Sequence, residues 1–153
     1  MISMPESENI LPDTKGKSFL MVVWILLTTP IKQRITKTFY FKLPNGLEIM
    51  IPKGFIHDGA SIPRWMHFIL RPFGILSPGG LPHDFGYRYQ FLFLADGSRY
   101  MSGASQSEFD QLFLEVNNQV NGAPPINHLA WFTLRLVGWI VWLKHRRNNL
   151  QYL

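Results

Sequence analysis

The pattern of apolar and polar positions divides the chain into a β-rich front and a helical back. Residues 36–43 are rich in β-branched and aromatic side chains, Asn45-Gly46 is a strong hairpin turn, and residues 47–52 continue as a second strand. The uninterrupted apolar run at residues 19–27 is too short to span a bilayer as a helix, which takes about 20 residues, and reads as a buried strand. Helical spacing then predicts helices over residues 62–70, 82–93, 107–121 and 126–144. Loops between them carry Pro72, Gly74, Pro78, Gly79 and Gly80, then Gly97 and Gly103, then Pro124 and Pro125.

The third of these helices is the best marked. Ser105 and Glu108 have capping-box spacing, Phe109, Leu112, Phe113, Val116 and Val120 recur at helical intervals, and Gly122 stops the run. The fold class expected is α+β, mainly α, with a small N-terminal antiparallel β-sheet or hairpin covering one side of a helical core. A chain of 153 residues with 46% hydrophobic content buries one core. Residues 1–17 mix Pro, Glu, Ser and Lys and read as a flexible tail. Residues 18–153 then form a single domain, with residues 18–54 as the β element and 55–145 as the helical core.

Composition narrows the setting. The absence of cysteine fits an intracellular protein better than a secreted one. The acidic residues near the start and the lack of a basic leader argue against a signal peptide, and no transmembrane helix is expected. A net charge of +5 suits anionic lipid or nucleic acid, yet neither a Gly-rich phosphate cradle nor a nucleic-acid-binding motif is present.

The candidate chemistry centres on His83-Asp84-Phe85-Gly86-Tyr87-Arg88, with Pro82 suited to a first helical turn just before it. On a helix, adjacent side chains diverge by about 100°, so His83 and Asp84 address different partners from one rigid element. The imidazole can accept a proton while the carboxylate holds a cation. Tyr87 falls one turn beyond His83 on the same face. The plainer alternative is a half-buried helix histidine beside a first-turn carboxylate.

Two further carboxylates could converge on this pair. Asp58 precedes Gly59, Ser61 and Pro63, so it can offer a side-chain oxygen beside an accessible backbone carbonyl, as calcium prefers, or it can belong to an ordinary turn. Asp110 borders the apolar face of the third helix, where it is either solvated or turned inward to orient the His83 imidazole.

Together these residues resemble the phospholipase A2 superfamily, most closely its bacterial and fungal type, in which a helix carries a His-Asp-Phe-Gly-Tyr-Arg string. Asp58, Ser61 and Pro63 upstream, and Asp110, Phe113, Ala130, Trp131, Val137 and Gly138 downstream, extend the resemblance. It implies that His83 activates water, that Asp110 orients His83, and that Tyr87 supports the Asp110 carboxylate. It also implies Ca2+ as cofactor, held by Asp84, Asp58 and the Gly59 carbonyl, with membrane phospholipid as substrate; with no nucleic-acid-binding motif in the sequence, no nucleic-acid partner is expected.

The Gly-Phe-x-x-Asp-Gly-Ala-Ser-x-Pro string and the later His-Asp-x-x-Tyr also resemble the phage- and prophage-associated family called domain of unknown function 1353, from Leu43 onward. That resemblance implies a phage origin, hence the host cytoplasm or the virion as location. Its members usually carry Thr where His57 stands, so His57 is set aside as a site residue.

Two other functions fit the same residues. One is a metal-dependent hydrolase of peptide or phosphoester substrates, because His57, His83-Asp84 and Asp110 follow a phosphohydrolase order. The other is a non-enzymatic phage accessory or virion module on the same fold. The last predicted helix, with Trp131, Phe132, Trp139, Ile140 and Trp142 followed by Lys144, His145, Arg146 and Arg147, reads either as a core helix with a solvated end or as a lipid-facing surface.

Overall fold

The computed structural model describes residues 5–28, 32–57 and 76–147. Among them, four helices and two small antiparallel sheets form an α+β structure. The helix expected over residues 62–70 lies outside the described residues, as do Asp58 and Gly59.

The first sheet has the order β1-β2-β5, formed by Ser7–Ile10, Lys32–Ile35 and Ile56–His57. Glu8 pairs with Arg34, and Gln33 pairs with both Asn9 and His57. The segment read as a flexible tail therefore contributes a strand. Its attachment is mostly main-chain pairing, helped at the exposed surface by Arg34 to Glu8 at 3.1 Å and Lys37 to Glu6 at 2.9 Å.

The second sheet has the order β3-β4-β6-β7, formed by Phe39–Lys42, Glu48–Ile51, Leu92–Leu94 and Arg99–Tyr100. The hairpin around Asn45-Gly46 forms as the sequence predicts, with Gly46 at φ +86°, where L side chains are strained. Alternation sets its faces. Phe41, Ile49 and Ile51 are buried while Lys42 and Glu48 face water.

The run at residues 19–27 is a helix and not a buried strand. It belongs to α1, Phe19–Thr28, and Phe19 and Trp24 are 80% and 68% exposed. A continuous apolar run does not distinguish helix from strand by periodicity. This segment joins neither sheet, and a helix pairs its backbone groups internally.

The remaining helices are α2 (Ser77–Tyr89), α3 (Gln106–Asn121) and α4 (Pro124–Arg147). The second differs from expectation at both ends. It begins at Ser77 with Pro78 in the first turn, so Pro82 lies inside the helix and Asp84 beyond the first turn. It stops at Gln90, whose left-handed φ of 64° sends the chain into β6, where a longer helix was expected. Phe91 to Leu94 leaves the helix because Met50 and Ile49 of β4 pair with Phe93 and Leu94.

With two prolines and three glycines, α2 has poor intrinsic propensity, and burial is what supports it. Gly79 and Gly86 allow α3 to approach closely. A Cβ at Gly86 would lie 2.2 Å from the Phe109 ring, and one at Gly79 would lie 2.4 Å from Asn117. The main core forms between the second sheet, α2 and α3, around Phe41, Ile49, Phe85, Leu92 and Phe109. At the start of α3, the Glu108 carboxylate accepts the Ser105 N–H at 2.8 Å, and the expected capping box is formed. At its end, Asn127 of α4 is buried and bonds Asn118 and Asn121 at 2.8 Å each, which fixes the α3–α4 corner.

Candidate functional site

The carboxylate of Asp110 joins α2, α3 and α4. Asp110 lies on the buried face of α3 with no exposed surface, so the solvated alternative does not hold. Its Oδ1 accepts a hydrogen bond from His83 Nε2 at 2.9 Å and another from the Tyr87 hydroxyl. Its Oδ2 accepts from Gln106 Nε2 and Arg135 Nη1, each at 3.3 Å. Both oxygens are thus engaged, and the carboxylate is held as an anion inside the protein.

His83 and Tyr87 reach Asp110 together because they are four residues apart on α2. Their rings lie 4.0 Å apart, and Phe113 closes against the imidazole edge-on at 5.6 Å. With Nε2 directed to Asp110, the other imidazole nitrogen, Nδ1, lies 3.7 Å from Asp84 Oδ1. The half-buried histidine of the plainer alternative is in fact a buried group between two carboxylates.

Each group titrates away from its ordinary value. Burial pulls the His83 pKa down, but the hydrogen bond to Asp110 and the Asp84 carboxylate outweigh it, and the pKa is raised. Burial pushes Asp110 up, yet the His83, Tyr87 and Arg135 contacts together leave its pKa lowered. The Tyr87 hydroxyl is raised by burial and by donating to the Asp110 anion, so it remains a proton donor.

Gln106 and Arg135 were not among the predicted site residues. Gln106 stands one helical turn before Asp110, so helical spacing alone could have nominated it. Arg135 had a weaker signal, as a lone charge in an apolar stretch. Gly138 also serves the site, since a Cβ there would stand 2.6 Å from the Tyr87 oxygen.

Of the predicted calcium ligands, Asp84 is within the described residues and lies beside His83. Asp58 and Gly59 are not described, and the described residues contain no cluster of three metal-ligating side chains. Asp84 is the one oxygen donor of the expected set among the described residues, and a carboxylate is a donor type that calcium accepts. His57 is buried on β5 and stacks on Phe55 with centroids 6.1 Å apart.

No curated protein and no solved structure matches the chain. One protein-family profile does, that of the protein of unknown function DUF1353, over residues 33–134. The match starts before Leu43 and takes in His83, Asp84, Tyr87, Gln106 and Asp110, while Arg135 and Gly138 fall just beyond it. Because it covers about two thirds of the sequence, the chain belongs to the DUF1353 family.

Proposed function

We propose that this protein is a calcium-dependent ester hydrolase of the phospholipase A2 type, acting on membrane phospholipid, with a phospholipase A2-like core built on α2 and α3. The observation that carries the reading is the shared Asp110 oxygen, which holds both His83 Nε2 and the Tyr87 hydroxyl. A neutral imidazole that donates from Nε2 keeps Nδ1 as its acceptor, and this is the arrangement a general base requires.

In that mechanism His83 Nδ1 takes a proton from the attacking water as its oxygen bonds the ester carbonyl carbon. Asp110 stabilises the imidazolium that forms, and the same proton then passes to the departing alcohol oxygen as the ester bond breaks. Tyr87, Gln106 and Arg135 keep the Asp110 carboxylate fixed and ionised throughout. Asp84, with Asp58 and the Gly59 carbonyl, would hold calcium, which would supply Lewis-acid polarisation of the ester carbonyl. In a phage such an enzyme would damage the host membrane during lysis or entry, from the host cytoplasm or from the virion.

The phosphohydrolase alternative uses Asp110 as a metal ligand. Four donors already engage its two oxygens, which disfavours that role. The deciding experiment is fatty-acid release from mixed phospholipid vesicles, with calcium and with chelator, for wild type and His83→Ala. Release that needs calcium and is lost in the variant supports the reading. Full activity in the variant overturns it, and no release from wild type favours another hydrolase substrate first and the non-enzymatic module second.

A further inference from the structure

Among the described residues, the α4 helix packs one side on α2 and α3 and leaves the other uncovered. Along the uncovered side run Leu129, Phe132, Leu136, Trp139, Ile140 and Leu143, each between 43% and 57% exposed. Their spacing of three and four residues makes them one continuous stripe. At its end a shallow groove of about 410 Å3 is lined by Trp139, Ile140, Leu143, Lys144 and Arg147. Lys144 and Arg147 are exposed and one turn apart, whereas Arg146 turns inward and is engaged with α2.

Charge indicates what covers this face. No Asp or Glu occurs after Glu115, so the whole of α4 is free of acid. The other exposed apolar helix repeats the chemistry. α1 contains no charged residue, follows Lys15 and Lys17, and lies in a stretch without acid from Asp13 to Glu48. An apolar stripe that ends in unopposed cations complements a surface with anionic headgroups above hydrocarbon. A second copy packed through α4 would bring no carboxylate from that helix to meet Lys144 and Arg147.

We infer that the outward face of α4, from Leu129 to Arg147, is a docking surface for an anionic phospholipid bilayer, resting on the phospholipid reading for its choice of partner. Trp139, Ile140 and Leu143 enter the acyl region while Lys144 and Arg147 hold headgroup phosphates at the groove. By length and composition α4 could cross a bilayer, but its inner side carries Arg135 to Asp110 and packs on the site, so it lies along the surface. Among the described residues it is the one helix that meets that length and apolarity. The stripe and its basic end extend past Leu134, where the family match stops.

The test is co-sedimentation of the full chain with vesicles of phosphatidylcholine alone and of equal parts phosphatidylcholine and phosphatidylglycerol, in chelator. A His83→Ala background keeps the lipid intact. Binding is expected to be about thirtyfold tighter on the anionic vesicles, since each basic residue near the surface contributes about fivefold. Lys144→Gln/Arg147→Gln should lose most of that preference, and Trp139→Ser/Ile140→Ser should weaken binding to both vesicles, with thermal melts showing that each variant is folded. Equal binding to both vesicles, variants that bind as the parent does, or a dimer that Trp139→Ser/Ile140→Ser dissociates in the absence of vesicle binding would overturn the inference. The readout is binding, so docking by the variant with no lipid hydrolysis by wild type refutes the hydrolase reading alone, and hydrolysis by wild type without anionic preference refutes the docking surface alone.

Discussion

Arg146, in the last turn of α4, donates to the backbone carbonyl of Tyr87 at 2.7 Å, so the end of one helix closes the end of the helix that carries His83. The same guanidinium reaches the Arg88 carbonyl at 3.0 Å and the Gln90 side chain at 2.6 Å, and it stacks over Trp142. Helices leave their last carbonyls without internal partners, and here a distant arginine supplies them. Tyr87 is thereby held through its backbone from α4 and through its hydroxyl from Asp110.

Replacing Arg146 should therefore act on α2 more than on α4. Arg146→Ala is expected to lower stability by about 2 kcal/mol, the range for hydrogen bonds to a charged group. For a chain of this size that is roughly 4–8 °C in Tm. A thermal melt followed by circular dichroism measures it, and an unchanged Tm would show that water replaces the guanidinium without cost.

Asp110→Asn tests the carboxylate without removing side-chain volume. The amide cannot stabilise an imidazolium as an anion does, and it can impose the wrong tautomer on His83. Under the proposed hydrolase reading, esterase activity should fall on the order of 10³–10⁴-fold in kcat with KM little changed, by analogy with carboxylate loss in hydrolytic triads. Steady-state kinetics on a soluble short-chain phospholipid separates the two constants. A change confined to KM would point to a binding role instead.

The pH dependence of stability follows from the lowered Asp110 pKa. A carboxylate depressed in the folded state stabilises the fold above its unfolded pKa of about 3.9, and that stabilisation is lost as pH falls through the lower folded value. The wild-type Tm should exceed that of Asp110→Asn near neutral pH, and the gap should narrow progressively as the medium is acidified through and below the ordinary carboxylate range. A gap independent of pH would mean that the anion contributes no net stability.

Two glycines make opposite predictions. Gly86→Ala forces a methyl to within 2.2 Å of Phe109, a ring with no exposed surface and no room to move, so overpacking should cost about 1–3 kcal/mol or more. Gly138→Ala instead presses on the Tyr87 hydroxyl, so it should lower activity by displacing the Tyr87–Asp110 contact while costing less stability. Paired melts and esterase assays on both variants check this, and equal losses of stability would refute the distinction.

Much of the architecture was legible because it is local. The hairpin at Asn45-Gly46 depends on adjacent residues, and α3 depends on Ser105, Glu108 and one periodic stripe. The β6–β7 hairpin was equally local, since Asp96-Gly97 lies between Leu92 to Leu94 and Arg99-Tyr100, but the aromatic run before it read as the continuation of a helix. The start of α2 was misplaced because Pro78 and Pro82 both suit a first turn, and only burial on several sides sustains a helix across the second. At the site, the four-residue step from His83 to Tyr87 was readable, and so was the position of Asp110 beside an apolar face.

Local sequence specifies the elements whose signals span a few residues and the chemistry that one helix can present, namely a histidine, a carboxylate and a tyrosine on α2. Packing settled which carboxylate the histidine meets, that Arg135 and Arg146 come across from α4 to hold Asp110 and the end of α2, and that residues 19–27 form a helix with Phe19 and Trp24 exposed where a buried strand was expected. Those outcomes depend on contacts between residues far apart in the chain. Helical and strand periodicities constrain which face a residue occupies, but the packing of faces against one another, set here by the close approaches at Gly79, Gly86 and Gly138, fixes its partner.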